Sequence, residues 1–211
     1  MNSRVEGVKD NRIEVEGVEG PIDCGFFINT AGLYSLTLAK QVLPHLGKRF
    51  KMVPLRGEFL ISENKIEDLG QPVIYPVPPA KKNFVLGVHT IITPDLHLKV
   101  GPSARPNFES FEGRSGKINY VEAFETVRGL LSLDAQMIQA GVKHLINSRT
   151  TTDEQGKTHK TPMEAKLATI YDAEGITFAK YPSFGVRPQL VDLDAKKLYD
   201  DMVVEKTPDG N

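Results

Sequence analysis

The 211-residue sequence predicts an α+β fold: a mainly antiparallel sheet with helices on one face. Three observations carry this. From Phe50 to Val100, short β-like runs follow one another with prolines and loops between them and no helical pattern. Strands joined so directly run antiparallel, because parallel neighbours need a long crossover. Helical periodicity is concentrated in Leu33–Leu43 and Val121–Leu145, on either side of that run, and residues 176–204 return to β pattern.

The elements follow in order. Val5 and Val8, then Ile13, Val15 and Val18, punctuate two polar-alternating strands with the turn residues Lys9-Asp10-Asn11 between them. Phe26-Phe27-Ile28 is a continuous apolar run, as expected of a buried strand. It ends at Asn29-Thr30-Ala31-Gly32, and a helix follows through Leu33, Leu36, Ala39 and Leu43 until Pro44 breaks it. Candidate strands are then Arg49–Val53, Gly57–Ser62, Val73–Tyr75, Val85–Ile92 and Leu96–Val100, kept short by prolines at 54, 72, 76, 78, 79 and 94. Residues 103–117 read as loop. In the second helical region Val121, Phe124, Val127, Leu130, Leu131 and Leu133 fit one face, and Ala135, Met137, Ile138, Val142 and Leu145 another. Ser148–Lys160 is a polar crossing, Pro162–Tyr171 a helix, and Ile176–Lys180, Gly185–Leu190 and Met202–Val204 are strands. The tail from Lys206 to Asn211 is a turn sequence leading toward a further strand, so the chain is expected to be cut from a longer one.

Composition narrows the function. A formal net charge of −1 gives no electrostatic reason for a nucleic-acid partner. The basic run Lys48-Arg49-Phe50-Lys51 reads as a solvated strand edge. No stretch approaches the ~20 apolar residues needed to span a bilayer. The N-terminus lacks the apolar core of a signal peptide, which makes a cytoplasmic location the expectation. The single cysteine, Cys24, opens an apolar run and is expected to be buried and inert; it excludes an internal disulfide. No metal site is expected, because no carboxylate stands at ligand spacing to His89 and His97.

Several stretches, in order, carry a family resemblance: Phe27-Ile28-Asn29-Thr30-Ala31-Gly32-Leu33-Tyr34-Ser35, Val53-Pro54-Leu55-Arg56-Gly57-Glu58-Phe59, Ile74-Tyr75-Pro76-Val77-Pro78, Leu86-Gly87-Val88-His89, Val100-Gly101-Pro102 and Gly185-Val186-Arg187-Pro188-Gln189. They resemble FAD-dependent oxidoreductases of the D-amino acid oxidase superfamily, and are most similar to its L-2-hydroxyglutarate dehydrogenase/oxidase branch. The resemblance covers most of residues 1–105 and about 183–205. Leu36 and Thr37 depart from it, since the family commonly carries Asp-Arg there. No Gly-x-Gly-x-x-Gly, the turn that holds a dinucleotide pyrophosphate, occurs in the sequence. The family's glycine-rich C-terminal stretch is also absent.

The resemblance implies a partial FAD-binding domain at residues 1–48, a substrate domain at 49–184 and return strands toward the FAD-binding domain at 185–211. It implies oxidation of a 2-hydroxy acid, 2-hydroxyglutarate above all, with hydride passing to FAD. An amino-acid or amine oxidase is the alternative within the superfamily, and a non-enzymatic binding domain the alternative outside it. Taken alone, the chain is expected to bind FAD poorly and to be inactive. Strand edges left open leave room for a homodimer.

Each candidate residue has a chemical reading and a plainer one. Amides at Asn29, Thr30, Ala31 and Gly32 offer partial positive charge at a strand-to-helix turn, or the turn only needs small residues for packing. The resemblance implies that they contact FAD. Arg56 and Glu58 share a strand face, so they either pair or line a cavity. The resemblance gives Arg56 a catalytic place, stabilising charge as the flavin accepts hydride. The resemblance implies that Arg187 holds the substrate carboxylate, which a planar guanidinium binds through two parallel hydrogen bonds; otherwise it pairs with Asp192 or another carboxylate. His89 suits removal of the hydroxyl proton, or is a satisfied sheet histidine. Tyr75 either hydrogen-bonds substrate or packs between strands. His45 and His97 are expected at the surface.

Overall fold

The computed structural model describes residues 3–67, 73–75, 88–103, 105–109, 118–139, 151–152, 158–159, 163–164, 167, 175–179 and 183–205. The chain opens with a small antiparallel sheet in the order β1 (Val5–Lys9), β2 (Arg12–Val15), β3 (Ile22–Asp23). Asp10 and Asn11 both take positive φ in the tight turn between β1 and β2, a conformation that Asp and Asn tolerate better than most residues. A 3-10 turn, Gly32–Tyr34, leads into α1 (Ser35–Val42), and α2 (Leu46–Arg49) follows Pro44. Gln41 of α1 accepts the edge amide of Val8 at 2.7 Å and donates to the Glu6 carbonyl, satisfying part of the open side of β1.

The run Phe26–Ile28 is not the buried strand expected. It is irregular, with Phe26 76% and Ile28 70% exposed. An apolar run becomes a buried strand only where sheet neighbours and cover exist, and no strand among the described residues pairs with it. Cys24 is likewise only half-buried, its thiol donating to the Asn11 carbonyl at 3.1 Å.

The main sheet is antiparallel throughout. Its path runs β12 (Lys197–Tyr199), β11 (Ser183–Asp192), β4 (Phe50–Lys65), β7 (His97–Gly101), β6 (His89–Ile92), β5 (Val73–Ile74), and β8 (Arg105–Pro106) also pairs with β4. The two strands expected at Arg49–Val53 and Gly57–Ser62 are one, continuous through Pro54. Pro54 lies opposite Pro188, and its carbonyl, pointing away from β11, accepts from Asn107. A residue in a strand directs its N–H and C=O to the same side, so the missing N–H falls where no bond to β11 was due.

Alternation along β4 divides the sheet into two faces. Leu60, Leu98, Val100 and Ile92 pack on one side with Met163 and Leu167, which with Glu164 are the described residues of the expected helix at 162–171. On the opposite side Val53, Leu55 and Val191 pack with Leu133, beneath α3 (Tyr120–Leu131). Asn119 caps α3 by accepting from the amides of Val121 and Glu122. Only the end of the expected stripe is buried: Leu130 and Leu133 pack on the core, but Val121, Phe124 and Leu131 are 73%, 61% and 68% exposed, and Thr126 and Gly129 face the sheet instead. A Cβ on Gly129 would stand 2.5 Å from Val53 Cγ2, so the backbones approach too closely for bulky side chains between them. Lys51 to Glu125 at 2.6 Å fixes the same side.

Three further expectations change. Within the polar tract, β9 (Thr151–Thr152) pairs with β10 (Thr158–His159) as a short antiparallel pair. Phe178 makes an isolated bridge to Ser62 instead of a full strand. The last strand is β12, not Met202–Val204, where Met202 and Val204 are exposed and irregular. Val142 and Leu145 lie outside the described residues.

Candidate active site

The face that α3 covers at one end of β4 is open further along the strand. Leu55, Gly57 and Phe59 point to it, and on β11 Arg187 stands opposite Leu55 and Gly185 opposite Gly57. Beyond β4, His89 of β6 pairs with Gly101 of β7, bringing the imidazole to the same side. A cavity of about 360 Å³ lies here, walled by Leu55, Gly57, Phe59, His89, Pro102 and Arg187 among others, a size suited to a small metabolite. Two glycines keep it in shape. A Cβ on Gly57 would come within 3.1 Å of Pro102 Cβ, and one on Gly101 within 2.7 Å of Phe59 Cδ1.

Among the residues lining this cavity Arg187 carries the formal charge. Among the described residues no Asp or Glu lines it. Arg187 is exposed, and no ion pair or hydrogen bond of its guanidinium is found among the described residues. Its expected alternative partner, Asp192, is otherwise engaged: that carboxylate accepts from Arg49 at 3.1 Å and from the Asp194 and Ala195 amides at 3.0 Å each. These donors, the Ala195 amide foremost, hold the Asp192 carboxyl below its ordinary range. His89 is held between rings, stacked on Tyr75 at 4.5 Å and edge-on to Phe59 at 6.2 Å. The Lys99 ammonium lies 4.3 Å from the Phe59 ring centre, a cation–π contact.

The sequence-derived candidates therefore separate. His89 and Arg187 meet at one cavity, although 98 positions apart (187 − 89). Tyr75 is beside it, as the stacking partner of His89. Arg56 is not brought to it. It lies between Leu55 and Gly57, both of which line the cavity, so alternation sends its side chain through to the other face. There it meets Glu109 at 3.0 Å and Glu58 at 3.2 Å and sits 3.7 Å over Phe184, with Arg105 completing the cluster on Glu58 at 2.7 Å. This is the ion-pair reading of Arg56 and Glu58. Asn29 shapes its turn by donating to the Ser35 carbonyl at 2.7 Å and accepting from the Ala31 amide. The adjoining 3-10 turn packs against β11, the strand that carries Arg187. His45 is exposed as expected, but His97 is half-buried, its Nδ1 2.8 Å from the Ser62 carbonyl. Lys99 and Phe59 were not singled out by sequence reasoning. The signal was present, since Leu98 and Val100 are the apolar positions of an alternating strand and Lys99 must face the other way.

No group of three or more metal-ligating side chains is found among the described residues, and no helix there is long and apolar enough to cross a membrane. No protein-family model matches the chain. Comparison with curated proteins points to a class: the chain is similar to enzymes named as dehydrogenases of a 2-hydroxy acid. With the L-2-hydroxyglutarate dehydrogenase of Indibacter alkaliphilus it is 30% identical over 132 residues, 62% of this chain and 33% of that protein. With the mitochondrial L-2-hydroxyglutarate dehydrogenases of Nematostella vectensis and Bos taurus it is 28% identical, over 87% and 59% of this chain and 38% and 27% of theirs. The chain thus spans about a third of the length of the curated relatives it matches.

Proposed function

We propose that this chain forms the substrate-side part of an FAD-dependent dehydrogenase that oxidises a 2-hydroxy acid, with L-2-hydroxyglutarate the leading substrate. The observation that carries the reading is the meeting of Arg187 and His89 at one cavity with no lining carboxylate among the described residues. In it, the Arg187 guanidinium grips the carboxylate next to the reacting carbon. His89 takes the hydroxyl proton while hydride leaves the same carbon, so a C–H and an O–H bond break and the C=O bond of the 2-oxo acid forms. Tyr75 and Phe59 fix the imidazole plane. FAD, when bound, supplies the two-electron acceptor.

The turn residues fit such a group. Thr30, Ala31 and Gly32 are exposed, and at Gly32, with φ of 56°, nothing lies within 4 Å of where a Cβ would stand. A flat ring system can therefore approach that backbone closely.

Calorimetric titration tests the site directly. 2-Oxoglutarate and L-2-hydroxyglutarate are expected to bind saturably, and Arg187→Met to weaken both by at least about tenfold, the scale of a lost charge-assisted hydrogen bond. L-Glutamate, with an ammonium in place of the hydroxyl, is expected to bind more weakly. Tighter binding of glutamate would transfer the reading to amino-acid oxidation, and unchanged binding by Arg187→Met would end it.

A further inference from the structure

Along the sheet three cationic or proton-accepting groups stand in a fixed order. Arg187 is level with Leu55 of β4. His89 is level with Gly101, one residue beyond the Val100–Leu60 pair on the Phe59 side. Lys99 is level with Ile61 of β4 and Ile91 of β6, two positions further from Arg187 than His89 is. At about 3.4 Å per residue, the Lys99 backbone lies roughly 7 Å past that of His89 and about 20 Å along the strand from that of Arg187. β11 and β7 lie on either side of β4, roughly 10 Å apart, so the two long, flexible side chains share a five-carbon ligand by leaning toward each other across the sheet.

Lys99 also has the electrostatics of an anion site. Lys99 stands just outside the cavity lining: its ammonium rests on Phe59, a cavity wall that also meets the His89 ring edge. No ion pair of Lys99 is found among the described residues, and a half-buried ammonium lacking a carboxylate gains from an anionic ligand. We propose that Lys99 holds the distal carboxylate of a 2-hydroxy dicarboxylic acid whose proximal carboxylate is on Arg187 and whose hydroxyl is at His89. The order of groups on the sheet then matches the order along the ligand: carboxylate, hydroxyl, second carboxylate. Lys99 is the residue that separates dicarboxylates from 2-hydroxy acids with an apolar tail. This rests on the reading of the cavity as a 2-hydroxy acid site.

The test compares 2-oxoglutarate with 2-oxopentanoate, which has the same carbon count and no distal carboxylate, on the wild-type chain, Lys99→Met and Arg187→Met. Methionine keeps the contact with Phe59 and removes only the charge. The wild type is expected to prefer 2-oxoglutarate by at least about tenfold. Lys99→Met should abolish that preference by weakening 2-oxoglutarate alone, and Arg187→Met should weaken both ligands. If Lys99→Met keeps the preference, or weakens both ligands equally, the role of Lys99 is overturned while the cavity reading stands. If neither ligand binds the folded wild type, with or without added FAD, the cavity reading fails and the Lys99 assignment with it.

Discussion

Asp192 sits where β11 turns toward β12, and its two oxygens collect four contacts: Arg49 Nε and Nη2 on one, the Asp194 and Ala195 amides on the other. The side chain is 5% exposed, so these donors replace water for the carboxylate. Replacing it by Ala leaves the amides unpaired and is expected to cost about 2 kcal/mol, read as a lower urea midpoint at pH 7. The pH dependence has a definite sign. The Asp192 carboxyl titrates below its unfolded value, chiefly through the Ala195 amide, so its stabilisation is whole above the ordinary aspartate range near 3.9 and is lost as pH falls below it toward the lowered value. Asp192→Asn should flatten the fall in urea midpoint as pH drops below about 5. The slope should not vanish, because Glu125, lowered chiefly by its hydrogen bond from Lys51, titrates the same way. An unchanged acid slope in Asp192→Asn would refute the assignment. The same residue explains why Arg187 is available for a ligand: the nearest carboxylate in sequence is taken by Arg49.

At the scale of elements, what was legible in the sequence follows the range of the physics involved. The hairpin at Asp10-Asn11 and the helix ended by Pro44 are local events, set by residues that are neighbours in the chain. The antiparallel sense of β5, β6 and β7 was legible too, since it follows from short connections, but the pairing of β11 with β4, far apart in the chain, was not. Pro54 misled because a proline interrupts a strand only when its N–H was needed, and that depends on which neighbour lies on which side. Arg56 was drawn toward the cavity by motif, while the face it occupies is decided by alternation from Leu55 and Gly57. The face of α3 was misread for a related reason. Periodicity marks the apolar stripe, but the close approach of Gly129 to Val53 selects the small-residue side for contact with the sheet. Gly129→Ala tests this. In an exposed helix the change gains about 1 kcal/mol of propensity. Here the new methyl meets fully buried Val53 at 2.5 Å, and overpacking is expected to cost about 1–3 kcal/mol, giving a net fall in urea midpoint. A rise in midpoint would mean that α3 does not lie against β4 in this way.

For the molecule as a whole, the proposed substrate and cofactor contacts rest on different kinds of structure. The three groups proposed to face the ligand, Arg187, His89 and Lys99, all project from strands of one hydrogen-bonded sheet, so their spacing is set by register and does not depend on any loop. The proposed flavin contact is a single turn at Asn29–Gly32, with no glycine-rich pyrophosphate loop anywhere in the 211 residues. Dinucleotide affinity draws heavily on such a loop, because its amides and the following helix terminus neutralise the diphosphate. The chain is therefore expected to bind FAD with less than about 5.5 kcal/mol, a dissociation constant weaker than about 100 μM. Fluorescence quenching of FAD titrated with the protein measures this, and FMN, which lacks the second phosphate and the adenosine, should bind equally weakly. In parallel, 2-oxoglutarate binding should persist with FAD absent, since none of its three contacts comes from the turn. Micromolar FAD affinity with a clear preference over FMN would show that this chain builds a diphosphate cradle by other means. Loss of 2-oxoglutarate binding unless FAD is present would show that the flavin completes the substrate cavity, which the register of β11, β4, β7 and β6 would then only outline.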